Sequence, residues 1–307
     1  MDHALTLEHV TKRFGSYKAV DDLSLAIPTG SIYGFLGPNG AGKTTTIRMV
    51  TNIIQPDEGN IRVLGEKSSE LTKDRLGYLP EEKGLYKKMK CAEILAYFGK
   101  LKGMDSGAAK AKAYELLERY GLAEWSDKRC EALSKGMSQK VQMLGTIIHD
   151  PNLLILDEPF SGLDPVNVEI LRDLILDQRK AGRTVIFSTH GMEQAEQICD
   201  FIFLIDKGKK VIDGPLSQVR KSAEQAVMLD YDGDGSRLAT LPGVVRVNDS
   251  GKSAELFLAP GTDPQVLLRA LIGMVKVRRF DQREPSLHEV FVRAVGGRQA
   301  AKDLSHG

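Results

Sequence analysis

The stretch GFLGPNGAGKTTTIRMV constrains this chain more than any other part of its sequence. It contains the pattern Gly37-x-x-x-x-Gly42-Lys43-Thr44, which follows an apolar strand-like segment and precedes a helical pattern. Glycines at 37, 40 and 42 let consecutive N–H groups point inward and surround a phosphate, which Cβ atoms would obstruct. A tight glycine-rich turn between a strand and a helix is the structural alternative. The full spacing in this context favours a loop that binds the phosphates of a nucleotide.

The side chains of this loop suit ATP and Mg²⁺. Lys43 can reach the β- and γ-phosphates, Thr44 can offer a hydroxyl to Mg²⁺, and the helix dipole favours the anion. Upstream, Phe14 follows the first predicted strand and is a candidate to stack on adenine, with a core position as the alternative. The predicted nucleotide contacts of the loop are Gly37, Pro38, Asn39, Gly40, Ala41, Gly42, Lys43, Thr44 and Thr45.

Two later strands end in residues that suit hydrolysis. LLILDEP is an apolar strand that delivers Asp157 and Glu158 at its carboxyl end, where ligands bind in open α/β sheets. Asp157 can hold Mg²⁺ through its water shell, and Glu158 can polarise the attacking water. A polar strand end before Pro159 is the alternative. TVIFSTH brings His190 to the same edge, so we expect Glu158 and His190 to be catalytic.

The stretch LSKGMSQ predicts a second anion-binding feature. Ser134 is a good N-cap, and Gly136 frees the backbone just inside the first turn of the predicted helix. Lys135 adds a positive charge where the helix dipole is already positive. Bare N–H groups beside a cation are typical of an anion site.

Composition narrows the class of protein. The 307 residues carry a net charge of +1, which gives no bulk electrostatic case for nucleic acid or an acidic membrane surface. The three cysteines show no metal spacing, so buried or idle thiols are expected. No apolar run approaches the ~18 residues that span a bilayer, and the start lacks the apolar core of a signal peptide, so we expect a cytoplasmic protein. The remaining histidines are expected to be ordinary surface residues: His3, His9, His149, His288 and His306.

The chain divides into segments of different pattern. Residues 1–218 are predicted to form an α/β domain, because near-continuous apolar strands alternating with helices are typical of a parallel sheet covered on both faces. A helical subdomain, about residues 84–149, is inserted into it. Residues 219–297 predict a small α+β domain, with a ferredoxin-like fold as one candidate, and 298–307 a polar tail.

Together these motifs resemble the ATP-binding subunit of an ATP-binding cassette (ABC) transporter over residues 3 to about 215. Residues 37–45 resemble the Walker A loop, 153–158 the Walker B strand, and LSKGMSQ the signature peptide. His190 resembles the switch histidine, and Asp164, in SGLD, belongs to a stretch that resembles the D-loop. The resemblance implies a P-loop NTPase core of the ABC type.

The resemblance also implies how the site works. Two subunits, a homodimer or a pair of related ATPase chains, would meet head to tail with ATP between them. Ser134, Lys135 and Gly136 would then meet the γ-phosphate of an ATP held by the partner, and Asp164 is a further predicted nucleotide contact. Two positions depart from the family pattern, since Lys135 replaces a glycine and Glu81 replaces the Q-loop glutamine. Glutamate can still ligate Mg²⁺ as an oxygen donor.

A narrower resemblance concerns the transport branch. LPEEKGLY, DEPFSGLDPVN and EPSLHEVFVRAV are similar to the bacterial branch that includes sodium-extrusion and daunorubicin-resistance ATPases, which carry a small accessory domain. This implies a motor for a separate integral-membrane permease, an exporter, bound at the inner face of the cell membrane. The segment from Glu81 to about Phe98 would receive the permease's cytoplasmic helix. The alternatives are a soluble ABC-type ATPase acting on nucleic acid or ribosomes, and a nucleotide-gated regulator.

Overall fold

A computed structural model describes residues 2–82, 84–221, 225–259, 261–283 and 285–296. The predicted polar tail, 298–307, lies outside these residues. The chain forms two compact units that divide between Gly214 and Pro215. Among the described residues, no helix is long and apolar enough to cross a membrane.

The described residues of the first unit form two sheets. An antiparallel sheet has the order β2-β1-β4-β5, with β1 His3–Phe14, β2 Tyr17–Pro28, β4 Glu58–Val63 and β5 Glu66–Lys67. A six-stranded sheet has the order β10-β9-β3-β8-β7-β6, with β3 Ile32–Leu36, β6 Leu76–Leu79, β7 Leu153–Asp157, β8 Thr184–Thr189, β9 Phe201–Asp206 and β10 Lys209–Pro215. Strands β9, β3, β8, β7 and β6 run parallel, which confirms the predicted α/β core. The sequence did not predict that the first strands would form a separate antiparallel layer.

Six α-helices accompany these strands in the described part of the first unit. They are α1 Lys43–Val50, α2 Cys91–Leu101, α3 Ser106–Arg119, α4 Lys135–Ile147, α5 Pro165–Lys180 and α6 Met192–Ile198. Helices α2, α3 and α4 connect β6 with its neighbour β7, so the helical block is an insertion between two adjacent strands.

Two helix boundaries differ from the predictions. The sequence pattern predicts a first helix from Lys43 to about Ile54, but the helix ends at Val50, and Asn52 adopts a positive φ of 55° that a helix does not allow. Helical structure was expected from about residue 84 but begins at Cys91. The preceding Lys90 instead forms an isolated antiparallel bridge with Arg129, so a tertiary pairing replaces the local helical preference.

The core of the first unit explains how the loop after β3 is supported. Tyr33 and Phe35 pack with apolar residues of the antiparallel sheet and α1. Gly34 points to the opposite face, where an added Cβ would lie 2.8 Å from the sulfur of Cys199. Both faces of β3 are therefore closely packed just before the loop that follows it.

The second unit is a small antiparallel α+β fold. Its sheet order is β12-β13-β11-β14, with β11 Ala226–Asp232, β12 Val244–Asp249, β13 Ser253–Leu258 and β14 Lys276–Arg283. Its helices are α7 Leu216–Lys221, α8 Pro264–Ile272 and α9 Leu287–Val295. The strand order is that of a ferredoxin-like sheet, with the short 3₁₀ turn Leu238–Thr240 where that fold has its first helix.

Candidate nucleotide site

The loop between β3 and α1 takes the shape that its glycines permit. Gly37, Gly40 and Gly42 have φ values of 154°, 77° and 110°. A Cβ at Gly37 would lie 2.2 Å from the carbonyl oxygen of Ile205, and one at Gly42 would lie 2.5 Å from that of Ala19. A Cβ at Gly40 would meet open space. Glycine is therefore needed at two of these positions because the loop packs against neighbouring backbone, in addition to any space that a bound phosphate requires.

Lys43 lies buried at the start of α1. Its ammonium donates to the carbonyl oxygens of Gly37, at 2.7 Å, and Pro38, at 3.2 Å. Burial lowers the pKa of Lys43, and the carboxylates of Glu158, Asp157 and Glu81 oppose that effect. The loop thus holds a cation in a fixed position in front of several acidic groups.

The end of β7 carries two buried carboxylates. The Ser188 hydroxyl donates to Oδ1 of Asp157, while Oδ2 has no hydrogen-bond partner among the described residues. A buried carboxylate oxygen without a donor is costly unless a cation or water meets it. This oxygen therefore fits a magnesium site, which the hydroxyl of Thr44 and the carboxylate of Glu81 could complete.

Glu158 and His190 meet because β7 and β8 are parallel neighbours that end at the same edge. Nδ1 of His190 lies 3.1 Å from Oε1 of Glu158, and Nζ of Lys43 lies 3.9 Å from the same oxygen. Glu158 has a positive φ of 47°, and its N–H donates to the Ser188 carbonyl at 3.1 Å. A carboxylate in this strained and fixed position can orient and deprotonate a water molecule.

One cavity of about 560 Å³ joins most of the predicted site. It is lined by Phe14, Tyr17, Ala19, Asn39, Gly40, Ala41, Gly42, Lys43, Thr44, Thr45, Glu81, Glu158, Ser161 and His190. Phe14 is 52% exposed, so the alternative of a core aromatic is wrong. Sequence reasoning missed Tyr17, which faces Phe14 across the β1–β2 hairpin. The hairpin register, once known, would have shown it.

The signature residues lie at the start of α4. Ser134 is the N-cap, as predicted, and its hydroxyl accepts a hydrogen bond from the N–H of Met137 at 3.2 Å. The described residues that line the 560 Å³ cavity do not include Ser134, Lys135, Gly136 or Asp164. The chain therefore does not bring its own signature to its own phosphate loop.

The signature instead packs on the D-loop segment of the same chain. A Cβ at Gly162 would lie 2.0 Å from Nζ of Lys135, and a Cβ at Gly136 would lie 2.4 Å from the Asn167 side chain. Asn167 in turn donates to the carboxylate of Asp164, the N-cap of α5. These contacts therefore connect the start of α4, with Ser134, Lys135 and Gly136, to Asp164 at the start of α5.

A second, apolar groove of about 270 Å³ lies beside the nucleotide cavity. Its lining residues include Tyr78, Leu79, Pro80, Glu82, Phe98, Leu101, Lys102 and His149. Glu81 lines the nucleotide cavity whereas Glu82 lines the groove, so two adjacent residues connect the two features.

The histidine of this groove corrects one expectation. His149 is partly buried rather than an ordinary surface residue. Burial, and secondarily the charge of Lys102, lowers its pKa to about 4. Its Nε2 lies 3.3 Å from the Leu76 carbonyl oxygen. The three cysteines, by contrast, are free and buried, as expected.

Comparisons with known proteins agree with this geometry. Residues 20–161 match the family model "ABC transporter", and residues 214–295 match "ATP-binding protein DrrA1-3-like, C-terminal domain". The ABC transporter ATP-binding protein YhaQ of Bacillus subtilis is 41% identical over 95% of this chain and 98% of its own length.

Two further relatives have names that concern export or resistance. The Nod factor export ATP-binding protein I of Rhizobium sp. (strain N33) is 34% identical over 95% of this chain and 97% of its own. The daunorubicin resistance ATP-binding protein DrrA3 of Streptomyces coeruleorubidus is 31% identical over 99% of both chains.

A solved structure of the ATP-binding subunit of an ABC transporter superposes with a TM-score of 0.65 at 26% identity, covering 71% of this chain and 92% of that one. The phosphate loop, the acidic strand end and these full-length relatives lead to one conclusion: the chain belongs to the ATP-binding, ATP-hydrolysing subunits of ABC transporters.

Proposed function

We propose that this chain is the ATPase motor of an exporter whose membrane-spanning permease is a separate protein, and that it works at the cytoplasmic face of the membrane. The observation that carries the ATPase part of the proposal is the arrangement of charged groups in the nucleotide cavity. Lys43, Glu158 and His190 share one cavity, while Ser134 and Lys135 lie on a different surface. Export is inferred from the names of relatives that match nearly the whole chain.

In the proposed hydrolysis, Glu158 is the general base. Its carboxylate takes a proton from the water that attacks the γ-phosphorus, and the P–O bond to ADP breaks. Lys43 stabilises the negative charge on the β- and γ-phosphates. His190, hydrogen-bonded to Glu158 at 3.1 Å, orients that carboxylate and reaches the γ-phosphate.

Mg²⁺ is the proposed cofactor. Asp157, Thr44 and Glu81 would hold it, and the observation in favour is that Oδ2 of Asp157 is buried with no hydrogen-bond partner in the described part of the chain. The bound ion would neutralise charge on the phosphate oxygens. Glu81 adds a full negative charge where glutamine would add none, so it strengthens the electrostatic demand for a cation.

We further propose a head-to-tail pair, a homodimer or a pair of related ATPase chains, with ATP at each composite site. The start of α4 offers N–H groups and the Lys135 ammonium, which suit a phosphate. Because this surface does not face the cavity of its own chain, a second subunit would supply the phosphate. In a homodimer, the two-fold pairing makes both sites equivalent.

The apolar groove is the proposed docking site for a cytoplasmic helix of the permease. Leu101 lines it and is 61% exposed, and Tyr78, Leu79 and Phe98 add further apolar surface. Exposed apolar surface of this kind is typical of an interaction site. The adjacent pair Glu81–Glu82 would connect the docked helix with the nucleotide.

Membrane association tests the function directly. We expect the chain to sediment with membranes and to purify with a multi-span protein. Leu101→Glu should move the chain to the soluble fraction, because a charge in the groove must be desolvated by an apolar partner. Ile53→Glu is the matched control, since Ile53 is 54% exposed and does not line the groove. Purification with ribosomes or nucleic acid, and no multi-span partner, would contradict the proposal.

A further inference from the structure

The tip of the β1–β2 hairpin carries two aromatic side chains on one face. Phe14 and Tyr17 are direct cross-strand partners, joined by the two residues Gly15 and Ser16. Directly opposite residues of an antiparallel pair project to the same side of the sheet. Both rings also line the nucleotide cavity.

Tyr17 is attached to the outermost part of the phosphate loop. Its hydroxyl donates to the carbonyl oxygen of Gly40 at 3.4 Å. Gly40 is exposed and has open space beside its Cα, so it forms the rim of the loop. A nucleotide whose phosphates lie on the loop must extend its ribose and base past this rim.

The surroundings of the two rings differ. Nζ of Lys12 lies 5.8 Å from the centre of the Phe14 ring, a cation–π distance, and also pairs with Asp57 at 2.9 Å. Among the described residues, no aromatic ring or cation stacks on Tyr17, which is 57% exposed. A largely exposed ring with no stacking partner beside the loop leaves its surface available for a ligand.

We infer that Tyr17 is a second nucleoside-binding residue: its ring packs against the base–ribose part of ATP, next to Phe14. Base–aromatic stacking tolerates different bases, because every base has a π-face. The ring therefore adds affinity for the nucleoside, whereas the loop binds the phosphates. The inference rests on the family's binding of ATP at this loop and adds a residue to it.

The experiment separates the nucleoside from the phosphates. Binding of ATP and of inorganic tripolyphosphate is measured on the full chain and on Tyr17→Ala, Tyr17→Phe and the control Tyr114→Ala, which removes an exposed ring outside this cavity. We expect Tyr17→Ala to weaken ATP binding by about 5- to 150-fold, the range for one lost base–aromatic contact, and to leave tripolyphosphate binding unchanged. Tyr17→Phe keeps the ring and should bind ATP within about threefold of the native chain.

Two results would overturn the inference. Equal weakening of ATP and tripolyphosphate by Tyr17→Ala would mean that Tyr17 only supports the phosphate loop through Gly40. Unchanged ATP binding in Tyr17→Ala would mean that the ring does not touch the nucleoside. Loss of binding in Tyr114→Ala as well would show a general folding effect, so thermal unfolding is recorded for each variant.

Discussion

The substitution Glu158→Gln tests the assigned general base most directly. Glutamine has nearly the same shape as glutamate, so it can keep the contact with His190 Nδ1, which is 3.1 Å from Oε1. The amide, however, cannot accept a proton from water. A positioned general base contributes about 10² to 10⁴ in rate, and we expect turnover to fall by that factor. This corresponds to about 3 to 5 kcal/mol in the activation free energy.

The same substitution should not weaken ATP binding. Glu158 Oε1 lies 3.9 Å from Nζ of Lys43 and competes with phosphate for that cation. At an effective dielectric constant of about 20, two unit charges at this distance interact by about 4 kcal/mol. Without the carboxylate charge, the ammonium of Lys43 is less neutralised and can attract the phosphates more strongly. The affinity for ATP should therefore stay equal or rise.

The assay combines phosphate release with ATP binding and size-exclusion chromatography. Slow hydrolysis with retained ATP should accumulate the ATP-bound dimer in Glu158→Gln. Glu169→Gln is a matched control, because Glu169 is exposed on α5 and does not line the cavity. Turnover of Glu158→Gln within tenfold of the native chain would refute the assignment.

Two further predictions concern the pairing and the acid stability. Mixing Lys43→Ala chains with Ser134→Arg chains, each inactive alone, should restore up to about half of the ATPase activity per mixed dimer, since one composite site is then intact. No activity at any ratio, with mixed dimers shown to form, would contradict head-to-tail pairing. His149 has a folded pKa of about 4, so below its unfolded value of 6.5 the unfolded chain takes up a proton that the folded chain does not. Lowering the pH from 7 to 5 should therefore reduce the free energy of unfolding by about 2 kcal/mol. Urea unfolding of His149→Gln at the two pH values should not show this reduction. Equal reductions in the native chain and in the variant would refute the role of His149.

The sequence could predict how the proposed catalytic residues are grouped because most of them lie close together in the chain. Gly37 to Thr44 follow one another on a single loop, and Asp157 and Glu158 end a single strand. Their spacing alone implies strand, loop and helix, and parallel strands present their carboxyl ends at one edge. His190 joins Glu158 for the same reason, at the end of the neighbouring strand.

The features that the sequence did not reveal depend on contacts between distant segments. Tyr17 faces Phe14 only through the hairpin register, and residues before Cys91 lose helical structure because Lys90 pairs with Arg129. Neither partner can be identified from the local pattern, because pairing across space has no fixed sequence separation.

The sequence by itself therefore determined where the phosphate loop and the acidic strand end lie, since each consists of residues within a few positions of one another. Only the tertiary structure decided that the ammonium of Lys135 rests against Gly162 and that His149 is partly buried with a low pKa. These properties come from the close packing of α4 and the residues that follow it against segments far away in the chain, and burial and charge are set by the whole packed neighbourhood.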